Sequence, residues 1–185
     1  MIACRVFVLN LLFLSILLAG CFPNHRQKWA SQVDSLRAEN NNLTKSIQNS
    51  ALREGLNTIK IESGSRLILL DRYQEVLIID STVAPILRYA VIHKEAQSLD
   101  DHLDFLAKTL LERSNALKNL RTDIESGAWK KDSIFGFIDR EKNLEKNLHA
   151  KVEKALEKAI DLNIDFKALH PKIVHYTDSL LQIRM

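Results

Sequence analysis

The sequence predicts an all-α fold: an elongated antiparallel helical bundle or hairpin with an N-terminal coiled-coil-like helix. Three observations lead there. Chain punctuation is scarce, with five glycines and three prolines in 185 residues, far fewer than a β-sandwich or barrel needs for its turns. Apolar residues recur over long stretches at alternating spacings of three and four, the period of one helix face. The only two cysteines, Cys4 and Cys21, both lie near the N-terminus, so no disulfide staples the body of the chain and an apolar core must hold it.

The elements follow in order. Trp29, Val33, Leu36, Asn40, Leu43 and Ile47 form one seam of an amphipathic, coiled-coil-like helix within residues 28–60. Asn40 falls inside that seam, where a buried amide costs stability but fixes register and favours dimers. Self-association through residues 29–47 is one expectation; the other is that this helix lies on its own domain. Thr58-Ile59-Lys60-Ile61-Glu62 alternates like a strand and Ser63-Gly64-Ser65 resembles a turn. A break in the helix is expected over 50–65 in preference to a hairpin, because nothing else in the chain would extend a sheet.

Residues 66–185 are expected to form the bundle. The stretch 66–97 is densely apolar and reads as two helices or one kinked helix. Asp80-Ser81-Thr82 suits a cap, and Pro85 suits a first turn. Ser98 and Asp101 resemble a capping box opening a helix over 98–126, with Leu99, Leu103, Leu106, Leu110, Leu117, Leu120 and Ile124 on one seam and Gly127 as its stop. Arg113 alone breaks that leucine seam. A further helix is expected from about Asp132-Ser133 to Ala168, its apolar face marked by Leu144, Leu148, Val152, Ala155, Ala159 and Leu162. Its Glu141, Lys142, Glu145 and Lys146 read as a solvated face. His170-Pro171 is expected to end it, before a short last helix.

The N-terminus carries the most specific signal. Arg5 precedes an apolar run, Val6–Leu18, and small residues then lead into Leu18-Ala19-Gly20-Cys21. A bilayer span needs roughly 20 apolar residues, so this run is too short and reads as a signal peptide. The segment resembles the lipobox of bacterial lipoprotein precursors. The resemblance covers residues 1–21 and implies that residues 1–20 are removed, that Cys21 is acylated, and that 21–27 form a lipidated tether. More than one acyl chain makes such an anchor stable. Phe22 stands where that family's inner-membrane members commonly carry Asp, which implies sorting to the outer membrane; Phe22 does not set the face, and the periplasmic face is the expected one.

Little points to chemistry. The formal net charge is +3, too small to argue for nucleic acid. G-x-S-x-G, G-x-x-x-x-G-K, G-x-G-x-x-G and H-E-x-x-H are all absent from the sequence. His93, Asp100, Asp101, His102 and Asp104 are the best metal candidates. However, capping accounts for the first two aspartates, and His102 points away from the face shared by Asp100 and Asp104. His170 and His175 are five apart and do not align on a helix. No metal, cofactor or catalytic residue is expected. Trp29, Asn40, Arg113 and Trp129 are the candidate partner-binding residues, with Arg113 expected to snorkel at the bundle edge and Trp129 to plug a bundle end. A structural or assembly subunit of a trans-envelope complex, such as a secretion apparatus, is the expected role. The alternative is a surface-exposed adhesin or ligand-binding lipoprotein.

Overall fold

The computed structural model describes residues 25–73, 80–128 and 131–182. They form four α-helices: α1 (His25–Ile47), α2 (Ser50–Arg72), α3 (Asp80–Ser126) and α4 (Lys131–Gln182). Among the described residues there is no strand. The fold is all-α. The first two helices act as one broken arm, so the bundle has three arms in up-down-up order. Asp34 faces Arg121, Asn40 faces Leu110 and Ser63 faces His93, an antiparallel register between the first arm and α3. Arg113 meets Glu141, Glu95 meets Lys158 and Arg88 meets Asp165, antiparallel again. Glu62 meets His170 and Arg66 meets Asp178, so the first arm and α4 run parallel. At 1.5 Å per residue the arms are about 70–80 Å long.

The seams explain the arms. Val33, Leu36, Asn40, Leu43 and Ile47 are buried as their spacing predicts. They pack on α3 and α4 of the same chain, so the face on which self-association was expected is occupied internally. The expected break over 50–65 is not there: α2 runs unbroken through Thr58–Ser65. The interruption lies earlier, at Gln48 and Asn49. The Asn49 side chain accepts hydrogen bonds from the backbone N–H of Ala51 at 3.0 Å and of Leu52 at 3.4 Å, an N-cap. This cap re-phases the seam. Ile47 and Leu56 are both buried, although nine residues of continuous helix would place them a half-turn apart. Gly64 lets α2 approach α3, since a Cβ there would lie 3.1 Å from the His93 ring.

The region 66–97 is two helices, α2 ending at Arg72 and α3 opening at Asp80. α3 then runs through Ser98–Asp101, so the expected capping box does not open a helix. Asp100 instead pairs with Arg53 and Lys60 across the bundle. α4 likewise continues through Pro171, correcting the expected stop at His170-Pro171. A proline inside a helix forfeits one backbone bond and costs about 3 kcal/mol. Phe166, Ile173 and Leu180 remain buried on one face across it, and their burial offsets that loss.

Gly127 closes α3 with φ +74°, and its N–H bonds to the Ile124 carbonyl at 3.2 Å. An L-residue in this conformation is strained, and a Cβ would also meet the Arg26 guanidinium at 2.6 Å. Gly127→Ala is expected to lower stability by about 1 kcal/mol, read from urea denaturation midpoints. An unchanged midpoint would show that this turn relaxes freely.

Candidate functional site

Two apolar clusters divide the core. One runs from Leu43 to Leu180 through the far two-thirds of the rod, and the other gathers Ala30, Val33, Leu36, Leu117, Leu120, Ile124, Ile134 and Ile138 near its start. Between them lies a polar layer of four buried side chains: Asn40, Arg113, Glu141 and Glu145. The Arg113 side chain is 7% exposed, and α4 supplies all its partners. Its Nε donates to Glu141 Oε2 at 3.1 Å, its second nitrogen donates to the Glu141 carbonyl at 2.6 Å, and its third pairs with Glu145 Oε2. Arg113 therefore does not snorkel. It is locked inside the chain, because two carboxylates stand one helix turn apart on the facing arm. Asn40 donates from Nδ2 to the Leu110 carbonyl at 2.7 Å, tying α1 to α3 one turn from Arg113.

Glu141 and Glu145 belong to the α4 seam rather than to a solvated face. The alternation of three and four runs Ile134, Ile138, Glu141, Glu145, Leu148, Val152, Ala155. Leu144, expected on the apolar face, is 45% exposed, whereas Glu145 is 4% exposed. Burial pushes the Glu145 carboxyl up from its ordinary range. The Arg113 charge and hydrogen bond pull it down, Glu39 pushes it up and His149 pulls it down, and the upward effects win. Among the described residues, none donates a hydrogen bond to Asn40 Oδ1 or Glu145 Oε1.

A second polar group sits further along. Tyr89, fully buried, bonds through its hydroxyl to His170 Nδ1, and His170 Nε2 lies 3.2 Å from Glu62 Oε2. Burial, and then the Glu62 charge, push the tyrosine hydroxyl well above its usual range. Beside it Ser63 Oγ bonds to His93 Nδ1 at 2.8 Å, and Gln97 meets His93 Nε2 at 3.0 Å.

The metal candidates do not converge. His93 faces Ser63 and Gln97, while Asp100 and Asp104 are engaged by Arg53, with Lys60 also on Asp100. Among the described residues no group of three or more His, Cys, Asp or Glu side chains is placed to hold a metal ion. Trp29 stacks on His25, 5.9 Å between ring centroids, and packs against the proximal cluster. Cys21 and Trp129 lie outside the described residues.

Asp100 and Glu145 titrate in opposite senses. Burial pushes the Asp100 carboxyl up, but hydrogen bonds and charges from Lys60 and Arg53 outweigh it and hold it below the usual range. Stability from Asp100 is therefore present above the ordinary aspartate pKa and is lost as pH falls through its lowered value. Glu145 has a raised pKa, so its contribution is full below the ordinary glutamate pKa and is lost as pH rises through its raised value. Asp100→Asn is thus expected to flatten the acid limb of a plot of Tm against pH. Glu145→Gln is expected to flatten the slope just above the ordinary glutamate range. Identical profiles for either variant and the parent would contradict the assignment.

Sequence reading singled out Arg113 and Asn40 but missed Glu141, Glu145, Arg53 and Lys60. The signal was available for the two glutamates: counting back from Val152 in steps of four and three lands on both. No family model, no characterised protein and no solved structure matches this chain.

Proposed function

We propose that this chain is a lipid-anchored, non-catalytic lipoprotein of the bacterial envelope. It holds a helical rod on the outer membrane, facing the periplasm, as a structural subunit of a trans-envelope assembly such as a secretion apparatus. The observation that carries the reading is the rod's outer surface. Val83, Leu87 and Val91 form an exposed apolar stripe at i, i+4, i+8 on α3, and Ile160 and Ile164 pair similarly on α4. Scattered exposed apolar residues are ordinary, but aligned ones on a long rod suit lateral protein contact. The anchor reading rests on Leu18-Ala19-Gly20-Cys21. Among the described residues no helix is long and apolar enough to cross a membrane.

Mass spectrometry of the native protein tests the anchor directly: acyl chains on an N-terminal Cys21 are expected, and an unmodified Cys21 rejects it. Mild crosslinking followed by detergent extraction tests the assembly. Stoichiometric envelope proteins are expected. A lone chain that external protease digests on whole cells would instead favour the surface-binding alternative.

A further inference from the structure

The self-association expected of residues 29–47 finds no free face there, because that seam is buried within the chain. The outer face of α3 is different. Val83, Leu87 and Val91 continue through Lys94, Ser98 and Asp101 to Phe105 at spacings of four and three, so all share one side of the helix. All seven are exposed. Leu87 is 62% exposed and Phe105 64%, so neither finds cover within the chain. The charged residues flanking this face are paired internally: Arg88 with Asp165, Glu95 with Lys158, and Asp104 with Arg53. Lys94 and Asp101, on the face itself, form no ion pair among the described residues.

The order of residues along this face is self-complementary. Turned end for end about the point between Gln97 and Ser98, Lys94 falls on Asp101, and Phe105 falls on Ala90, between Leu87 and Val91. We infer that α3 pairs through this face with α3 of a second copy of the chain, antiparallel about a two-fold axis beside Ser98. Lys94 of each copy meets Asp101 of the other, and Phe105 of each packs between Leu87 and Val91 of the other. One patch serves both chains, as a two-fold interface requires, and every contact occurs twice. Parallel pairing in register would instead set Lys94 against Lys94 and Asp101 against Asp101, which repel. The contact is a single ridge from Val83 to Phe105, about 33 Å of helix, so the interface is small and its dissociation constant is expected in the roughly micromolar range. The inference rests on the lateral-contact reading of the α3 stripe and names its partner. Antiparallel pairing sets the two α1 starts at opposite ends, so an anchored pair lies along the membrane.

Sedimentation equilibrium of the full chain, in a detergent matched to the density of the solvent, tests the pairing. A reversible monomer–dimer equilibrium is expected. Lys94→Asp and Asp101→Lys each place like charges together at two symmetric points, and each alone is expected to weaken the dimer by about tenfold or more. An equimolar mixture of the two single variants is expected to recover the parent affinity, since each then supplies the charge the other lacks. The double variant is expected to recover it too. Phe105→Ala is expected to weaken the dimer by about tenfold while the melting temperature stays the same, because the ring is exposed in the single chain. Recovery in the mixture also shows that the single variants are folded. A chain that stays monomeric at every concentration overturns the inference, as does a dimer that neither charge reversal weakens or a mixture that fails to recover. Chains that merely share a micelle would be indifferent to the reversals and count against it. Stoichiometric envelope proteins on a chain that does not self-associate would leave the scaffold reading standing and remove the dimer, so the two failures are distinct.

Discussion

Arg113→Ala is expected to destabilise the bundle by about 3–5 kcal/mol, one of the two largest effects of any single substitution considered, because it strands two carboxylates in the core. Glu141 and Glu145 are buried in the same layer and depend on one guanidinium. Glu145→Gln is expected to cost less, because Arg113 keeps Glu141 and the amide still offers an acceptor. The informative control is the triple change Arg113→Met, Glu141→Leu and Glu145→Leu. Replacing a whole buried ionic group with well-packed apolar side chains is commonly neutral, or stabilising by about 1–4 kcal/mol. Urea denaturation of the three proteins separates these outcomes. If Arg113→Ala loses less than about 1 kcal/mol, water reaches the layer and the charges are not truly desolvated.

The layer therefore contributes little to net stability and needs another reason to exist. Three arms built from leucine-rich seams can slide against one another by a heptad at small cost. Arg113 fits only opposite Glu141 and Glu145, and Asn40 bonds only opposite Leu110. Both contacts lie in one layer and together tie all three arms. A slip by one heptad would bury every one of these groups without a partner, so the layer specifies a single alignment of the rod. The triple apolar variant is accordingly expected to remain stable yet lose uniqueness, with broadened NMR resonances as the readout.

The sequence made the arms legible because each has one dominant apolar period. Leu99 to Ile124 is buried along its seam as the spacing predicts. The failures share a cause. Ser98 with Asp101 is a local start signal and His170-Pro171 a local stop signal, but helices held on one face by tertiary packing run through both. The break near residue 49 went unplaced because an Asn-Ser step is a weaker signal than a Gly or Pro, and because the seam resumes in a new phase. Glu141 and Glu145 were hidden by a rule that is usually right: paired glutamates among lysines lie on the surface. Only Arg113 on a different arm makes their burial tolerable, and that pairing is a long-range fact that the period of one helix cannot reveal.

Phe166→Ala is the second large effect, with an expected loss of about 3–5 kcal/mol. Phe166 is buried at the level where α2, α3 and α4 converge. Its ring stacks on Tyr89 at 6.0 Å and on His170 at 4.5 Å between centroids. Truncation removes a large apolar side chain, and it also removes the surface that holds His170 between Tyr89 and Glu62. The loss should therefore exceed that from an aliphatic site of similar burial, such as Leu162→Ala, expected at about 2–5 kcal/mol. Tyr89→Phe isolates the polar part. It keeps the ring but takes the hydroxyl from His170 Nδ1, and a cost of about 1–3 kcal/mol is expected. If Phe166→Ala and Tyr89→Phe are strictly additive in the double variant, the stack and the hydrogen bond act independently. A coupling of about 0.5–3 kcal/mol is expected instead, because the same imidazole is positioned by both.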